Sequence, residues 1–476
     1  MPFQKDNQAV SHGDPGSVAD RAAAVRHRLP PRSHPPPMPP PAATSRLDPS
    51  AAAEPPDASA QAQAQVQSPA PPPAVGARTL LLVLALLSVF PPLATDMYLS
   101  AFGEIQHHLR APDGALELSL SVFFLGLGVG QLLFGPLADR VGRKGPLLAG
   151  TALFCLCTVG LLWVQDVHAF IALRFVQALG ACAGMVIGRA IVTDLHAGSQ
   201  AARTMTLLAL LMTLGPVLAP LAGGLLVSAF DWRAIFLAML GVGLLALGLA
   251  WRALPETLPP AQRTRTPLHH MLGDYRALLR RPAFVVPALT GALALTGLFA
   301  FITASSHVLQ DVMGLGRIAY GLTFGAIALG MGVASAVNHR LLARHTPRRI
   351  FQRALPLQTL SALGLLAVSG TTQLAVLLPP LWLTVALSGL LAANGQALTM
   401  EAARGHGGAG SALLGALQFG IAFISAALVA ALVGEGRGAL PLALGMAVPS
   451  VLALGLWWGA PGGGRGGPRP ADRAAV

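Results

Sequence analysis

Apolar runs of about 20 residues recur along the chain from Thr79 to Gly459, with short breaks between them. Twenty residues of helix span about 30 Å, the thickness of the hydrocarbon core of a bilayer. Only 11% of the 476 residues are charged, whereas a water-soluble domain usually carries about 25%. In lipid each segment has to satisfy its own backbone groups, and these runs lack the alternation of barrel strands. The sequence therefore predicts an all-α polytopic membrane protein.

We place twelve transmembrane helices, six on each side of a polar stretch, in two bundles of nearly equal length. The first six are predicted at 79–101, 116–138, 146–165, 168–192, 205–229 and 232–253. The second six are predicted at 283–306, 318–338, 351–370, 374–397, 408–432 and 438–459. The bundles, 79–253 and 283–459, are joined by a basic linker, 254–282. Two parallel six-helix repeats are typical of alternating-access transporters.

Lysine and arginine residues collect on one side of the predicted spans. Twenty of the 32 fall on that side, and four fall on the other, namely Arg110, Arg233, Arg317 and Arg437. Positive residues stay in the cytoplasm, so both termini are predicted there and the protein in the inner (plasma) membrane. The net charge of +12 is explained by this topology, and no nucleic-acid partner is needed.

The two ends of the chain differ in composition from the spans. Residues 1–76 contain 17 of the 39 prolines and no apolar run that could form a core. We predict a disordered Pro/Ala-rich cytoplasmic tail over 1–78, with no function assigned; a start at a later methionine, such as Met38, stays open. Residues 460–476 are predicted to form a flexible, Gly-rich cytoplasmic tail.

The loop between the second and third predicted spans carries a distinctive motif. Its glycines allow a tight reversal, and its charges anchor it at the membrane surface; they are Gly135, Asp139, Arg140, Gly142, Arg143 and Lys144. The motif resembles the signature loop of the major facilitator superfamily, and a degenerate copy lies at 338–349 in the second half. The resemblance implies a cytoplasmic charge lock formed by Asp139, Arg143 and Asp194. Arg189 is interpreted either as a gating residue or as an ordinary helix-end arginine.

Further segments resemble the Bcr/CflA group of drug/proton antiporters within that superfamily. The resemblance is carried by Thr95-Asp96-Met97-Tyr98, by 173–180 and 188–194 in the fourth span, and by 232–236, 299–306 and 410–418. It covers the whole membrane part, about 79–459. The chain departs from the group at Ser100 and Gly103, where prolines are usual, and at His307, where an aromatic residue is common.

The fifth span contains prolines that kink a helix and glycines that let a neighbouring backbone approach closely. These residues are Gly215, Pro216, Pro220, Gly223 and Gly224. They resemble the antiporter motif of exporters in the superfamily, with Ala219 where a glycine is usual. The motif favours export over uptake, although close packing of small residues is the alternative explanation.

Asp96 is the one acidic residue well inside a predicted span. An intramembrane carboxylate costs roughly 2.5–3.5 kcal/mol on insertion scales, so it normally faces a cavity or a partner. Arg174, in the fourth span, lies at a similar predicted depth. We predict that Asp96 and Arg174 pair or share a water network and that the pair couples transport to protons; a fixed structural ion pair is the alternative.

Other polar residues inside the spans are candidates for lining a substrate cavity. They are Tyr98, Gln131, Gln177, Ser305, Ser306, His307, Asn394, Gln396 and Gln418. Each of them serves equally well as a hydrogen-bonding partner between helices.

These features predict proton-coupled efflux of small, largely hydrophobic drugs by a monomer, with Asp96 as the proton site. An uptake symporter for a sugar, amino acid or organic anion is the alternative. A membrane enzyme of lipid or cell-wall synthesis is disfavoured, because the loops hold no polar catalytic cluster. We predict no enzyme activity, no metal and no cofactor other than the proton gradient, since neither a nucleotide-binding loop nor metal-ligand spacing is found, and the three cysteines give no disulfide framework.

Overall fold

The computed structural model describes residues 77–196, 198–264, 268–434 and 436–460. Within these ranges the regular structure is entirely helical, and no strand is found. The all-helical prediction is therefore confirmed for the part of the chain described. The predicted tails lie outside these residues, except for 77–78 and Ala460.

Twelve long helices follow one another in the part of the chain that the structure describes. In the first half they are α1 (Thr79–Leu109), α2 (Ala115–Val141), α3 (Lys144–Trp163), α4 (Val167–Leu195), α5 (Gly198–Ala229) and α6 (Arg233–Ala253). In the second half they are α7 (Pro282–Val312), α8 (Arg317–Leu342), α9 (Pro347–Ala367), α10 (Leu374–Ala402), α11 (Gly407–Leu432) and α12 (Leu440–Gly459). A shorter linker helix, Leu268–Leu279, lies between the halves.

Eleven of the helices in the described ranges are long and apolar enough to cross a membrane. The exception is α9, whose 21 residues give the required length but whose first two turns carry Arg348, Arg349 and Arg353. Because arginines at a helix end remain at the membrane surface, α9 fits the predicted ninth span with its beginning moved from 351 to Pro347.

Helices of the two halves meet along two equivalent interfaces. In the first, α2 packs against α11; in the second, α5 packs against α8. If the second half repeats the first, α8 corresponds to α2 and α11 to α5, so the interfaces exchange under the repeat. At Gly321 of α8, an added Cβ atom would lie 2.7 Å from the Cα atom of Leu221 in α5. The second interface is therefore a close contact between backbones, which only a glycine permits at that position.

We refer to the two ends of the bundle by their charge. The basic end carries Arg140, Arg143 and Lys144 between α2 and α3, and the opposite end carries the connections from α1 to α2 and from α7 to α8. A helix of 20 residues is about 30 Å long. Features of the two ends therefore lie a membrane thickness apart.

Candidate functional site

The helix α1 is not regular where Asp96 lies. An α-helix, Ala77–Pro92, passes into a π-helical turn, Leu93–Met97, and then a 3₁₀ turn, Tyr98–Ala101, before helix resumes at Phe102–Leu109. Pro91 and Pro92 stand directly before the turn; each lacks a backbone N–H and disrupts the helical hydrogen-bond ladder. We call the segment Leu93–Ala101 the α1 bend.

Asp96 lies in the α1 bend and is 1% exposed. Its Oδ1 atom is buried and has no hydrogen-bond partner in the structure. The neighbouring Thr95 hydroxyl donates to the carbonyl oxygen of Pro91 at 2.9 Å. Burying a charged carboxyl group without a cationic partner is costly, so Asp96 is the unusual ionisable group of this helix.

Arg174 lies in α4 and is fully buried, with 0% exposure. Its Nη2 atom donates to the carbonyl oxygen of Ala94 in the α1 bend, and its Nη1 atom donates to Oε1 of Gln177, each at 2.6 Å. The guanidinium carbon lies 4.2 Å from the ring centroid of Tyr98 and 4.4 Å from that of Phe123. Cation–π contacts of this kind stabilise a desolvated arginine.

The predicted direct ion pair between Asp96 and Arg174 is absent from the described residues. The two helices place both groups in the same region, but the bend in α1 directs the Ala94 carbonyl, rather than the Asp96 carboxyl, at the guanidinium. The contact is therefore with the backbone of the turn that carries Asp96. A shared water network, the other form of the prediction, stays a prediction.

The network around Arg174 continues into neighbouring helices. Gln177 donates from Nε2 to the Thr158 hydroxyl of α3 at 2.8 Å. The Tyr98 hydroxyl lies 3.1 Å from that of Ser119 in α2, and Ser119 itself donates to the Leu116 carbonyl oxygen. Gln177 and Tyr98, two of the predicted cavity residues, therefore each hydrogen-bond to another side chain of the first bundle.

The antiporter-like motif of α5 packs directly against the α1 bend. A Cβ atom on Gly215 would lie 2.6 Å from Cβ of Pro92, and a Cβ atom on Gly223 would overlap the carbonyl oxygen of Met97. The hydroxyl of Ser100 donates to the carbonyl oxygen of Pro220 at 2.7 Å. The glycines therefore serve close backbone approach, and the segment they approach is the one that contains Asp96.

The remaining cavity candidates are divided between the interior and the surface. Asn394 is buried and donates to Oδ1 of Asn338 at 2.7 Å, whereas Gln396 is exposed and Gln418 half-buried. The side chain of Gln131 is buried where α2 crosses Gly415 of α11. Gln131 and Gln418 are therefore better placed near the seam between the halves than Asn394.

An aromatic cluster that sequence reasoning missed bridges the two halves. The ring of Phe299 in α7 lies 4.8 Å from that of Phe124 in α2 and 5.7 Å from that of Phe419 in α11, measured between centroids. A phenylalanine in an apolar span does not by itself indicate a functional site, because its side chain packs equally well against lipid and against protein. The cluster supplies an apolar, aromatic surface where the bundles meet.

At the basic end the signature loop forms a compact charge network. Arg143 is ion-paired with Asp139, and its Nε atom lies 3.0 Å from Oδ2 of Asp194. Burial alone would lower the pKa of Arg143, but hydrogen bonds and charge from Asp194 and Asp139 outweigh it and raise that pKa. A raised arginine pKa keeps the group charged, so its stabilising effect is present across the physiological range and is lost only in strong alkali. The structure brings the three predicted lock residues together.

The linker completes this network, which the sequence did not indicate. The Glu256 carboxylate accepts hydrogen bonds from the backbone N–H of Arg143 at 2.7 Å and of Lys144 at 3.3 Å. Thr257 donates to Asp194 at 3.0 Å. Gly142 has φ of 105°, which favours glycine. In this conformation the network joins the first bundle to the linker.

The other residues predicted for this end contribute less to the charge network. The side chain of Arg189 is exposed and donates to the carbonyl oxygen of Met185 in its own helix at 3.1 Å. Gly135 lies beside Val186 of α4, and Lys144 donates from Nζ to the carbonyl oxygen of Trp251. The choice between a gating role and a helix-end role for Arg189 stays a prediction.

At the opposite end three polar contacts join the two halves. Ser306 and Gln310 of α7 both donate to the carbonyl oxygen of Leu99 in the α1 bend, at 3.1 and 3.3 Å. Arg317 of α8 is ion-paired with Glu104 of α1. A cavity of about 540 Å³ lies next to these contacts. The halves are therefore held together at the opposite end.

No group of three or more potential metal ligands occurs in the parts of the chain that the structure describes. All three cysteines are buried and unpaired, and none of them is bonded to another.

The chain is similar to known proteins over most of its length. The family model of the Major Facilitator Superfamily matches residues 84–426. A bicyclomycin resistance protein homolog of Haemophilus influenzae is 30% identical over 378 residues, covering 78% of this chain and 94% of that protein. A multidrug transporter, MdfA, of Yersinia pestis is 29% identical over 378 residues, covering 76% and 90%. The crystal structure of a D-xylose–proton symporter shares the fold, with a TM-score of 0.64 and 15% identity over 81% of this chain and 98% of that one.

Proposed function

Because the chain belongs to the major facilitator superfamily, in its Bcr/CflA group, we propose that it exports small, largely hydrophobic drugs in exchange for protons. It is a multi-pass membrane transporter. The drug class is supported by relatives whose names state bicyclomycin resistance, multidrug resistance or multidrug transport. The single observation that carries the proton coupling is the buried Asp96 carboxyl, whose Oδ1 atom has no partner.

The exchange follows from competition between a proton and a substrate. When the cavity opens to the outside, Asp96 takes a proton; when it opens to the cytoplasm, a bound substrate favours release of that proton. Two ligands that disfavour each other in one protein are coupled reciprocally. Each cycle therefore moves a drug out and a proton in, and the proton gradient is the energy source.

The α1 bend is the element through which this competition acts. Arg174 contacts it from α4 through the Ala94 carbonyl, and the α5 motif contacts it through Met97 and Ser100. Binding or loss of the Asp96 proton changes the charge inside a segment that contacts both bundles. We propose that this couples protonation to movement of the halves, with Arg174 as a positioning residue.

The aromatic cluster of Phe124, Phe299 and Phe419 supports a largely hydrophobic substrate. It lies at the junction of the bundles, and aromatic rings bind apolar and cationic groups of varied shape. Gln131 and Gln418, near the same seam, are the polar groups that we propose contact the substrate. We propose that the protein lies in the inner membrane with its basic end facing the cytoplasm. We also propose that it acts as a monomer.

An uptake symporter remains the competing proposal, since a sugar–proton symporter shares the fold. Inverted membrane vesicles distinguish the two. With an imposed proton gradient, acid inside, an exporter accumulates a fluorescent cationic drug in the lumen, and addition of drug dissipates the gradient. A symporter in the same vesicles releases preloaded substrate together with protons. Glu401→Gln, at an exposed carboxylate beside Arg404, is the matched control and is expected to behave as the unaltered protein.

A further inference from the structure

The linker helix, Leu268–Leu279, lies outside the twelve long helices, and one of its faces is packed against the second bundle. Leu278 is 0% exposed and belongs to an apolar cluster with residues of the first two turns of α7 and of α11. Oδ1 of Asp274, four residues earlier on the same face, lies 3.5 Å from Nε2 of His406, which directly precedes α11. The linker helix is therefore fixed at the level where α7 and α11 begin.

A second face of the linker helix carries two large apolar side chains that are largely exposed. Leu272 is 66% exposed and Leu279 is 48% exposed. They stand two helical turns apart, so their side chains lie on the same side of the helix. Both belong to a segment between the spans, where exposure is not explained by lipid packed around a transmembrane helix. Because burying apolar surface is favourable, these leucines favour contact with an apolar neighbour.

Arginines lie beside these leucines. Arg276 and Arg280 are exposed, and the backbone N–H of Arg280 donates to the carbonyl oxygen of Arg276 at 3.2 Å, so the helical turn continues to Arg280. Arg281 follows and is exposed as well. None of the three is ion-paired with a carboxylate among the residues that the structure describes. Residues at positions i, i+4, i+7 and i+8 share one side of a helix, and we call the side formed by Leu272, Arg276, Leu279 and Arg280 the linker face.

Two exposed tryptophans mark the membrane surface at the basic end. Trp251 lies in the last turn of α6 and Trp458 in the last turn of α12, and their exposures are 63% and 38%. Tryptophan is enriched where a span meets the lipid headgroups. The spans α7 and α11 begin at the same end, and the linker helix packs on their first turns. The linker face therefore lies at the depth of the headgroups.

We propose that the linker face binds anionic phospholipids of the membrane leaflet at the basic end. The two leucines lie at the boundary of the acyl chains, and the arginines bind the phosphate groups. Helices that lie in the plane of a membrane surface combine apolar side chains with arginine or lysine in this way. A guanidinium group binds phosphate oxygens through two parallel hydrogen bonds, and an anionic headgroup supplies the negative charge that the described part of the protein does not supply.

The composition of the linker face favours an anionic lipid over the other possible neighbours. Water solvates the arginines but not Leu272 and Leu279. An apolar protein surface, including that of a second copy of this chain, covers the leucines but leaves the arginine charges without partners, which is costly. A zwitterionic lipid covers the leucines and brings no net negative charge. The lipid site lies apart from Asp96 and does not depend on the proposed exchange of drug and proton.

Quenching of one fluorescent label by lipids tests this proposal. Gly273 lies one turn before Arg276, and a Cβ atom added to it meets no atom within 4 Å, so Gly273→Cys accepts a maleimide fluorophore without disturbing the packing. The native cysteines are buried, and the unaltered protein treated alike gives the background. The full chain is placed, one copy per nanodisc, in phosphatidylcholine with a minor fraction of phosphatidylglycerol. Quenching is compared between samples in which one or the other lipid carries a doxyl group, at equal doxyl content.

Doxyl-phosphatidylglycerol is expected to quench about fivefold or more strongly than doxyl-phosphatidylcholine, since each arginine near an anionic membrane surface contributes about fivefold to binding. Combining Arg276→Gln with Arg280→Gln is expected to reduce this preference below about twofold, and so is 1 M salt, which screens charges. Combining Leu272→Ser with Leu279→Ser lowers quenching by both lipids, because the helix lies further from the acyl chains. Arg404→Gln, at an exposed arginine of the same end outside the linker helix, is the matched control and keeps the full preference.

Equal quenching by the two lipids when the linker face is unaltered, or a preference that persists in the double arginine variant, would overturn the proposal. Quenching by neither lipid would also overturn it, since the linker face would then contact water or protein. Asp96→Asn is expected to keep the lipid preference. Drug-induced proton release is measured in the same nanodiscs, and a lipid preference without proton release would contradict the exchange alone and leave the lipid site supported.

Discussion

Arg174 and Ala94 are joined by a hydrogen bond of 2.6 Å, from guanidinium Nη2 of α4 to the carbonyl oxygen in the π-helical turn of α1. Arg174 thereby ties α4 to the backbone of this turn. Asp96, two residues further along, is therefore positioned by an arginine with which it forms no direct ion pair. Arg174 therefore contributes the position of the turn as well as a positive charge.

Arg174→Lys is expected to reduce drug transport at least tenfold, although the positive charge is kept. A lysine cannot donate in two fixed directions to Ala94 and Gln177 or stack between two rings. Arg174→Gln removes the buried hydrogen bond to the Ala94 carbonyl, and a hydrogen bond to a charged group contributes about 1.5–3 kcal/mol of folding free energy. Transport and the pH midpoint of proton release are measured for both variants.

Arg404→Gln, at an exposed arginine, is the control for the Arg174 variants. A Lys variant with full transport and an unchanged pH profile would show that charge alone matters at position 174.

Gly223→Ala is expected to disturb the α1 bend, because the new methyl group overlaps the carbonyl oxygen of Met97. We expect transport to fall about tenfold and the thermal midpoint of the detergent-solubilised protein to drop. Gly241→Ala in α6 is the matched control, since no atom lies within 4 Å of its added Cβ. Equal effects of the two substitutions would mean that α5 and the bend are not coupled.

Glu256→Ala is expected to loosen the signature loop at the basic end. Its carboxylate caps the first backbone N–H groups at the start of α3, and loss of a cap costs about 1 kcal/mol. Hydrogen–deuterium exchange at residues 142–146 is expected to increase, with little change in α4. Glu401→Ala, at an exposed helix end, serves as the control, and unchanged exchange in Glu256→Ala would rule out the capping role.

The sequence was sufficient for the helices, because a membrane span has to be both apolar and about 20 residues long. The beginning of α9 was predicted less accurately, because its first turns hold three arginines at the membrane surface. Pro91 and Pro92 precede the π-helical turn of α1, but the sequence did not predict this turn, because prolines in a span do not specify which kind of turn follows them. Depth along a helix could be predicted from residue number, whereas the direction of the Asp96 carboxyl could not.

Two further features escaped the sequence for physical reasons. Glu117 stands near a span end, where an acidic residue normally meets water, yet in the folded chain it is only 6% exposed. Glu256 lies 113 residues from Arg143, and nothing local in the linker marks it as a cap. The three lock residues, in contrast, were predicted from the resemblance to the superfamily, because they match the positions of its charge lock, and the structure brings them together.

The central claim is that the Asp96 carboxyl exchanges its proton for the drug, and proton release by the purified protein tests it most directly. In weakly buffered detergent solution, saturating drug is expected to release close to one proton per transporter, and the apparent drug affinity is expected to rise with pH. Asp96→Asn is expected to bind the drug, release no proton and lose the pH dependence, while Glu401→Gln behaves as the unaltered protein. Proton release and pH dependence that persist unchanged in Asp96→Asn would contradict the account.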